Sequence, residues 1–502
     1  MPIAGKPTRA RTSAPKAKTA AAGIAVADRL RASPPRRRGE RICGIRSEAS
    51  ASGGDGAAGD WRASAGDGAP AFSEEDRAQV RASLLSWYDG CHRQLPWRRN
   101  LHSKLEGTRG EAASADLDPQ AFAYMVWVSE VMLQQTQVVN VVKYFKRWME
   151  KWPTLEALAA ASLEEVNELW AGLGYYRRAA FLLKGAKHLV DELGGAFPET
   201  ANELKRIPGI GPYTSAAVAS IAFGECAAAV DGNVIRVVSR LRALSGDPKK
   251  LTATHAVLAG ELLDKQRPGD FNQAMMELGA TICKPTNPLC DSCPVSAQCS
   301  ALARVRSHLA GGGRPDKPNA PRVTDFPSAT EKLAKREEVV AMCVLKMVPR
   351  EGQRGRYMLL KRPASGLLAG LWEFPTIPIE GGDTTCTHRQ SKMDEYLQAG
   401  CGTPLGKPPK KLKVLRRHDV GTAVHLFSHI RMTMHVEMLV VEGGQEAAEA
   451  AEKAGVRWVA EGEMGSFGLT TMVRKAFKLA EDRKREGTDM MQYLKGNKRQ
   501  AR

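Results

Sequence analysis

The sequence predicts an all-helical domain followed by a smaller α+β domain, on three observations. Apolar residues recur with helical period from Ser73 to about Ala303. A Gly/Pro-rich run, about 308–336, then breaks the pattern. Beyond it the apolar stretches become short, partly alternating and rich in β-branched and aromatic residues, as strands are. The 502 residues allow about three domains at roughly 150 residues each. The expected division is a leader at 1–74, a helical domain at 75–305, a connector at 306–336, an α+β domain at 337–482 and a basic tail at 483–502.

Composition narrows the function. Lys+Arg number 73 against 55 Asp+Glu, a net charge of +18, which favours nucleic acid over an acidic partner. No stretch reaches the roughly 18 consecutive apolar residues of a spanning helix. The nearest, Ala216 to Val230, is too short and carries Glu225, so no membrane role is expected. Ten cysteines are too few for a disulfide-built scaffold, and four of them crowd into Cys283–Cys299. The leader has only Trp61 and Phe72 as aromatics and contains Arg36-Arg37-Arg38; disorder is expected there. It reads as a nuclear signal first, with a mitochondrial or plastid transit peptide or a DNA-tethering arm as alternatives. The tail carries no paired-aromatic clamp motif, so no protein partner is named, and a monomer is expected.

In chain order, helices are expected around Val80–Tyr88, Phe122–Gln135, Leu163–Leu169, Tyr213–Phe223, Val234–Leu244 and Phe271–Ile282, with a polar surface insertion at His102–Gln120. Strands are expected at Val339–Val348, Tyr357–Arg362, Leu371–Pro375, Val424–Phe427, Thr433–Val441 and Val456–Val459. Helices near Met393–Ala399 and Met472–Ala480 complete the second domain.

Three motifs carry chemistry. The spacing Cys283-x6-Cys290-x2-Cys293-x5-Cys299 can wrap a tetrahedral ion or a cubane cluster, and alone leaves zinc and iron–sulfur open. In Ile207-Pro208-Gly209-Ile210-Gly211-Pro212-Tyr213-Thr214, the glycines permit a left-handed turn and close approach of a backbone. Pro212 suits a helix's first turn, whose free N–H groups can bind a phosphate. Downstream, Asp231 in Val230-Asp231-Gly232-Asn233-Val234 can cap a helix, act in catalysis, or do both. The third motif is Glu130, set in an otherwise apolar helix. Desolvation should raise its pKa and keep it protonated near neutrality, unless a buried Arg pairs with it.

Together these motifs resemble the endonuclease III/MutY class of helix–hairpin–helix DNA glycosylases, and most of Leu95–Cys299 resembles MutY-type adenine DNA glycosylases. The resemblance implies that Cys283, Cys290, Cys293 and Cys299 hold a [4Fe–4S] cluster. It implies that Glu130 is the general acid, that Asp231 stabilises the cationic sugar, and that Asn233 and Tyr213 support them. Strand-cleaving members carry a Lys where Tyr213 stands, and a phenol cannot form the imine, so a monofunctional enzyme is expected. Arg98 and Glu277 match positions lining the adenine pocket, although a structural ion pair would also explain them. Gln135, Thr136 and Tyr175 match residues that contact or wedge the duplex, and Gly209 and Gly211 the DNA-binding hairpin.

In the second domain, Tyr357–Pro363 and Gly370–Pro375 resemble the Nudix-like C-terminal domain of the same family. The glutamate array of a working Nudix hydrolase is missing: the stretch after Gly381 offers Asp383, Asp394 and Glu395, so nucleotide hydrolysis is not expected. Phe427-Ser428-His429 resembles the loop that contacts 8-oxoguanine, whose N7 is a donor where guanine's is an acceptor. The connector has no cysteine, and no second metal is expected. The implied function is excision of adenine paired with 8-oxoguanine (or guanine) in double-stranded DNA. The alternatives are an endonuclease III-like glycosylase/lyase for oxidised pyrimidines and a non-catalytic damage-binding protein.

Overall fold

The computed structural model describes residues 71–105, 118–329, 334–348, 355–363, 366–380, 382–399, 413–443, 455–464 and 469–483. Most of the leader, most of the polar insertion and nearly all of the basic tail lie outside the described residues. No helix among the described residues is long and apolar enough to cross a membrane.

The N-terminal half is helical. Helix α1 (Glu74–Cys91) starts where Ser73 Oγ accepts the Asp76 N–H at 3.0 Å. There follow α2 (Pro119–Leu133), α3 (Val138–Lys151), α4 (Leu155–Ala159), α5 (Leu163–Trp170), α6 (Arg177–Leu193), α7 (Ala201–Leu204) and α8 (Pro212–Phe223). Their apolar faces enclose one core, with Trp127, Trp148 and Trp170 among its largest fully buried side chains. Helices α9 (Gly232–Arg242), α10 (Thr252–Leu262) and α11 (Pro268–Thr281) close on α1 around a second core, through Leu84, Val237, Leu262 and Phe271. Helix α8 packs on α2 in the first group and on α11 in the second, so its first turn stands at the seam. Helix α2 is buried almost throughout, because its sequence gives it no polar face to turn to water. It ends at Leu133, so Gln135 falls outside the helix expected to contain it.

Helix α12 (Ser300–Ala310) carries the helical domain into the connector. The connector is not a free linker throughout: Val323 and Phe326 are buried against Ala243, Ala301 and Leu302. Two apolar residues within a Pro-rich run suffice to anchor it, a signal that composition averages away.

Among the described residues the C-terminal domain has a seven-stranded sheet of β1 (Arg336–Val348), β2 (Arg356–Lys361), β3 (Trp372–Glu373), β4 (Thr376–Pro378), β5 (Lys413–Leu426), β6 (Ile430–Glu442) and β7 (Val456–Ala460). The order is β3-β2-β1-β6-β5, with β4 on β1 and β7 on β2; β1 and β6 are parallel and every other pair antiparallel. Strand β1 feeds both faces by its period of two. Val340, Met342 and Val344 meet the helix at 471–483, which we call α14, and Ala341, Cys343 and Leu345 meet Met393 of α13 (Cys386–Gln398). Strand β5 is far longer than the expected Val424–Phe427. Its first half mixes Lys413, Arg416, Arg417 and Asp419 with the exposed Val414 and Leu415 on a sheet edge, so the alternation that betrays a strand is lost there.

Candidate active site

Glu130 and Asp231 come from different helical groups and face one cavity. Glu130 lies on α2 with 5% of its surface exposed. Burial is the chief influence on its carboxyl and, with the negative charge of Asp231, raises the pKa to about 7 against the opposing pull of Tyr213 and Arg98. Its partner is a phenol and not a buried Arg: the Tyr213 hydroxyl donates to Oε2 at 2.5 Å. Tyr213 stands in the first turn of α8. Gly209, at φ +87°, makes the turn before it, and a Cβ there would meet Phe181 Cβ at 2.6 Å. Gly211 is different. Its backbone is extended and a Cβ would meet nothing within 4 Å, so only Gly209 fulfils the conformational role expected of both.

Asp231 is the N-cap of α9. Its Oδ1 accepts the N–H groups of Asn233 and Val234, each at 2.8 Å, and its Oδ2 accepts from Asn233 Nδ2 at 2.6 Å. Capping thus consumes one oxygen and aims the other. Burial raises its pKa, opposed by these three hydrogen bonds. Asn233 is held in turn by Arg236, whose guanidinium donates to its Oδ1 at 2.8 Å and to the Gly279 carbonyl at 2.7 Å.

The cavity is lined by Glu130, Tyr213, Asp231, Asn233, Arg98 and Met276, with Gln135, Thr136, Tyr175, Gly209 and Gly211 along its mouth. Phe427, Ser428 and His429, at the β5–β6 turn of the C-terminal domain, line the same space. Its volume of about 2070 Å³ exceeds the roughly 300–1,000 Å³ of a small-molecule pocket, so it suits a macromolecular substrate. Of the two roles open to Glu277 in the sequence, the structure shows the ion pair with Arg98. It is fully buried behind the cavity wall, where its carboxylate takes Arg93 Nε at 2.7 Å and Arg98 Nη2 at 2.8 Å. Burial disfavours its charge, but the two arginines prevail and hold the carboxyl at about 2. Arg98 alone of the expected pair reaches the cavity, because the ion pair turns Glu277 away from it.

Two residues at the cavity mouth have strained backbones, Gln135 at φ 55° and Tyr175 at φ 50°; side-chain-bearing residues avoid this region at a cost of about 1–2 kcal/mol. What holds them is Arg178, which sequence reasoning missed. Its guanidinium is buried and donates to the carbonyls of Met132 at 2.8 Å, Gln134 at 2.7 Å and Gly174 at 2.9 Å, and to Thr136 Oγ1 at 3.2 Å. One side chain thus closes the C-terminal end of α2, whose carbonyls lack helical partners, and ties it to the 173–175 turn. In sequence Arg177 and Arg178 look alike; only the tertiary fold sends one inward. Arg93 and Met276 were also missed, having no local signal.

The four cysteines border a second, small cavity together with Ile282, Leu289 and Leu302. Arg240 Nη1 lies 3.3 Å from Cys283 Sγ and also donates to the Lys284 carbonyl at 2.7 Å. Four thiols around one apolar space, with a buried guanidinium beside them to balance negative charge, fit an iron–sulfur cluster. Among the described residues no three His, Cys, Asp or Glu side chains close on a single metal-ion position.

In the C-terminal domain Asp394 and Glu437 share Arg417, at 2.7 and 2.8 Å. Asp383 caps the Thr385 N–H at 2.9 Å and Glu395 pairs with Lys392 at 3.0 Å.

A buried Glu130 and a half-buried Asp231 lining one cavity between two helical groups, with a glycine hairpin before α8, define a helix–hairpin–helix DNA glycosylase, and comparison agrees. Residues 128–259 match the family of HhH-GPD superfamily base excision DNA repair proteins, and residues 347–479 match the NUDIX domain. The chain is 42% identical over 451 residues to the adenine DNA glycosylase of Mus musculus, covering 84% of this chain and 81% of that protein. It is 44% identical over 427 residues to the Homo sapiens adenine DNA glycosylase (80% and 73% covered) and 43% over 432 residues to that of Arabidopsis thaliana (80% and 64% covered). The chain belongs to the adenine DNA glycosylase family, and is a base excision repair enzyme specific for adenine.

Proposed function

We propose that this enzyme excises adenine paired with 8-oxoguanine, or guanine, and leaves an intact strand bearing an abasic site. The observation that carries the proposal is the arrangement of Glu130, Tyr213 and Asp231 around one cavity. An adenine swung out of the duplex enters it. The protonated carboxyl of Glu130 gives its proton to N7, and the C1′–N9 electron pair leaves with the base. The resulting oxocarbenium-like sugar faces the carboxylate of Asp231, whose Oδ2 is oriented by Asn233 and whose charge stabilises it. Water adds to C1′ and returns a proton to Glu130. Because the group at the head of α8 is a phenol and not an amine, no imine forms and the strand is not cut.

Ser428 and His429, 3.2 Å apart from Oγ to Nδ1, are the proposed readers of the opposite 8-oxoguanine. Arg98, Gln135, Thr136 and Tyr175, which line the cavity, are the proposed contacts to the duplex and the extruded base. Cys283, Cys290, Cys293 and Cys299 would hold a [4Fe–4S] cluster, which when bound would staple the 283–299 loop and its Lys284.

Incubation with an A:8-oxoguanine duplex tests the proposal. Strand scission only after alkali supports it. Scission without alkali indicates the lyase alternative, and none in either case indicates a binding protein; both overturn it.

A further inference from the structure

Tyr213 has one hydroxyl proton and two acceptors for it. Its Oη lies 2.5 Å from Glu130 Oε2 and 3.0 Å from Met276 Sδ. Helix α11 presents Met276 to the cavity, next to Glu277, which is occupied by Arg93 and Arg98. A thioether accepts a hydrogen bond and does not titrate. Burial and the neighbouring carboxylates hold the Tyr213 pKa well above that of an ordinary phenol, so its proton stays in place.

The direction of that hydroxyl therefore follows Glu130. When Glu130 is ionised, Tyr213 donates to Oε2. When Oε2 carries a proton, it donates to Tyr213 Oη, and the phenol's own hydrogen must turn elsewhere. We infer that Met276 is a positioning residue that favours the protonated form of Glu130, by accepting the Tyr213 hydroxyl in that state alone. Without the sulfur, protonating the acid would strand a buried hydroxyl, which costs free energy. The other charged groups acting on Glu130 are Asp231, at the head of α9, which favours the proton, and Arg98, which opposes it. Arg178 of α6 is taken up by the carbonyls at the end of α2. This inference rests on the reading of Glu130 as the general acid.

The test is the pH profile of single-turnover adenine release. The wild-type rate should fall as pH rises through about 7, where Glu130 loses its proton. Losing one acceptor should move that falling limb in Met276→Leu down by roughly 0.4–1 pH unit. The rate above the limb then drops by roughly 2- to 10-fold more than the low-pH plateau does. In a Tyr213→Phe background the same substitution should move nothing. A limb that Met276→Leu leaves in place, a loss equal at every pH, or a displacement that survives Tyr213→Phe overturns the inference alone. A wild-type profile retained by Glu130→Gln overturns the acid assignment, and the inference with it.

Discussion

Replacing Glu277 with Gln should destabilise the helical domain strongly, because its carboxylate is the counter-charge of Arg98, whose side chain is 10% exposed, and also binds Arg93. The gap between an ordinary 4.5 and about 2 corresponds to roughly 3 kcal/mol at ~1.36 kcal/mol per pH unit. Leaving a buried guanidinium unpaired gives a similar figure, about 3–5 kcal/mol. The pH dependence has a definite sign. A carboxyl whose folded pKa lies below its unfolded one contributes its full stability above about 4.5 and loses it as pH falls towards 2. Urea denaturation of wild type and Glu277→Gln should therefore differ by roughly 3–5 kcal/mol at pH 7, and the part of that difference due to ionisation should fall below half by pH 3. A difference under about 1 kcal/mol, or one constant from pH 7 to 3, refutes the reasoning. The loss should also reach function, since Arg98 lines the cavity only while Glu277 holds it.

Two further outcomes follow from the same geometry. Arg178→Met should cost at least about 2 kcal/mol, the loss of charge-assisted bonds to buried carbonyls, and should reduce the fluorescence change of 2-aminopurine placed at the target. Its exposed neighbour is the control: Arg177→Met should alter stability by less than about 0.5 kcal/mol while lowering the salt dependence of duplex binding. Equal effects of the two would contradict the assignment. Cys293→Ser should purify with less than its full complement of iron, measured by metal analysis; undiminished iron would exclude that thiol as a ligand.

How much of this was legible in sequence varied with range. The helical-then-mixed architecture was readable because α2, α8 and α9 bury long periodic or fully apolar stretches, β1 holds an apolar run and β6 alternates apolar with polar residues. Glu130 stood out because a lone carboxyl in an apolar helix is chemically conspicuous. Its hydrogen bond to Tyr213, 83 positions along the chain, was not readable, nor was the support of Asn233 by Arg236. Arg178 escaped for the opposite reason: on a basic chain one more arginine suggests a phosphate contact, and only packing shows its charge spent on carbonyls. For Glu277 the sequence left pocket lining and an ion pair with Arg98 both open; the pair is present, and which of the two groups stands in front is not recorded along the chain. Strand β5 was underestimated because edge strands carry the charges that mask alternation.

The proposed chemistry turns on one proton held by Glu130. Its most direct test is single-turnover adenine release from an A:8-oxoguanine duplex by Glu130→Gln, with duplex affinity measured in parallel. The variant should bind the duplex as the wild type does and release no adenine. Release at the wild-type rate would contradict that chemistry.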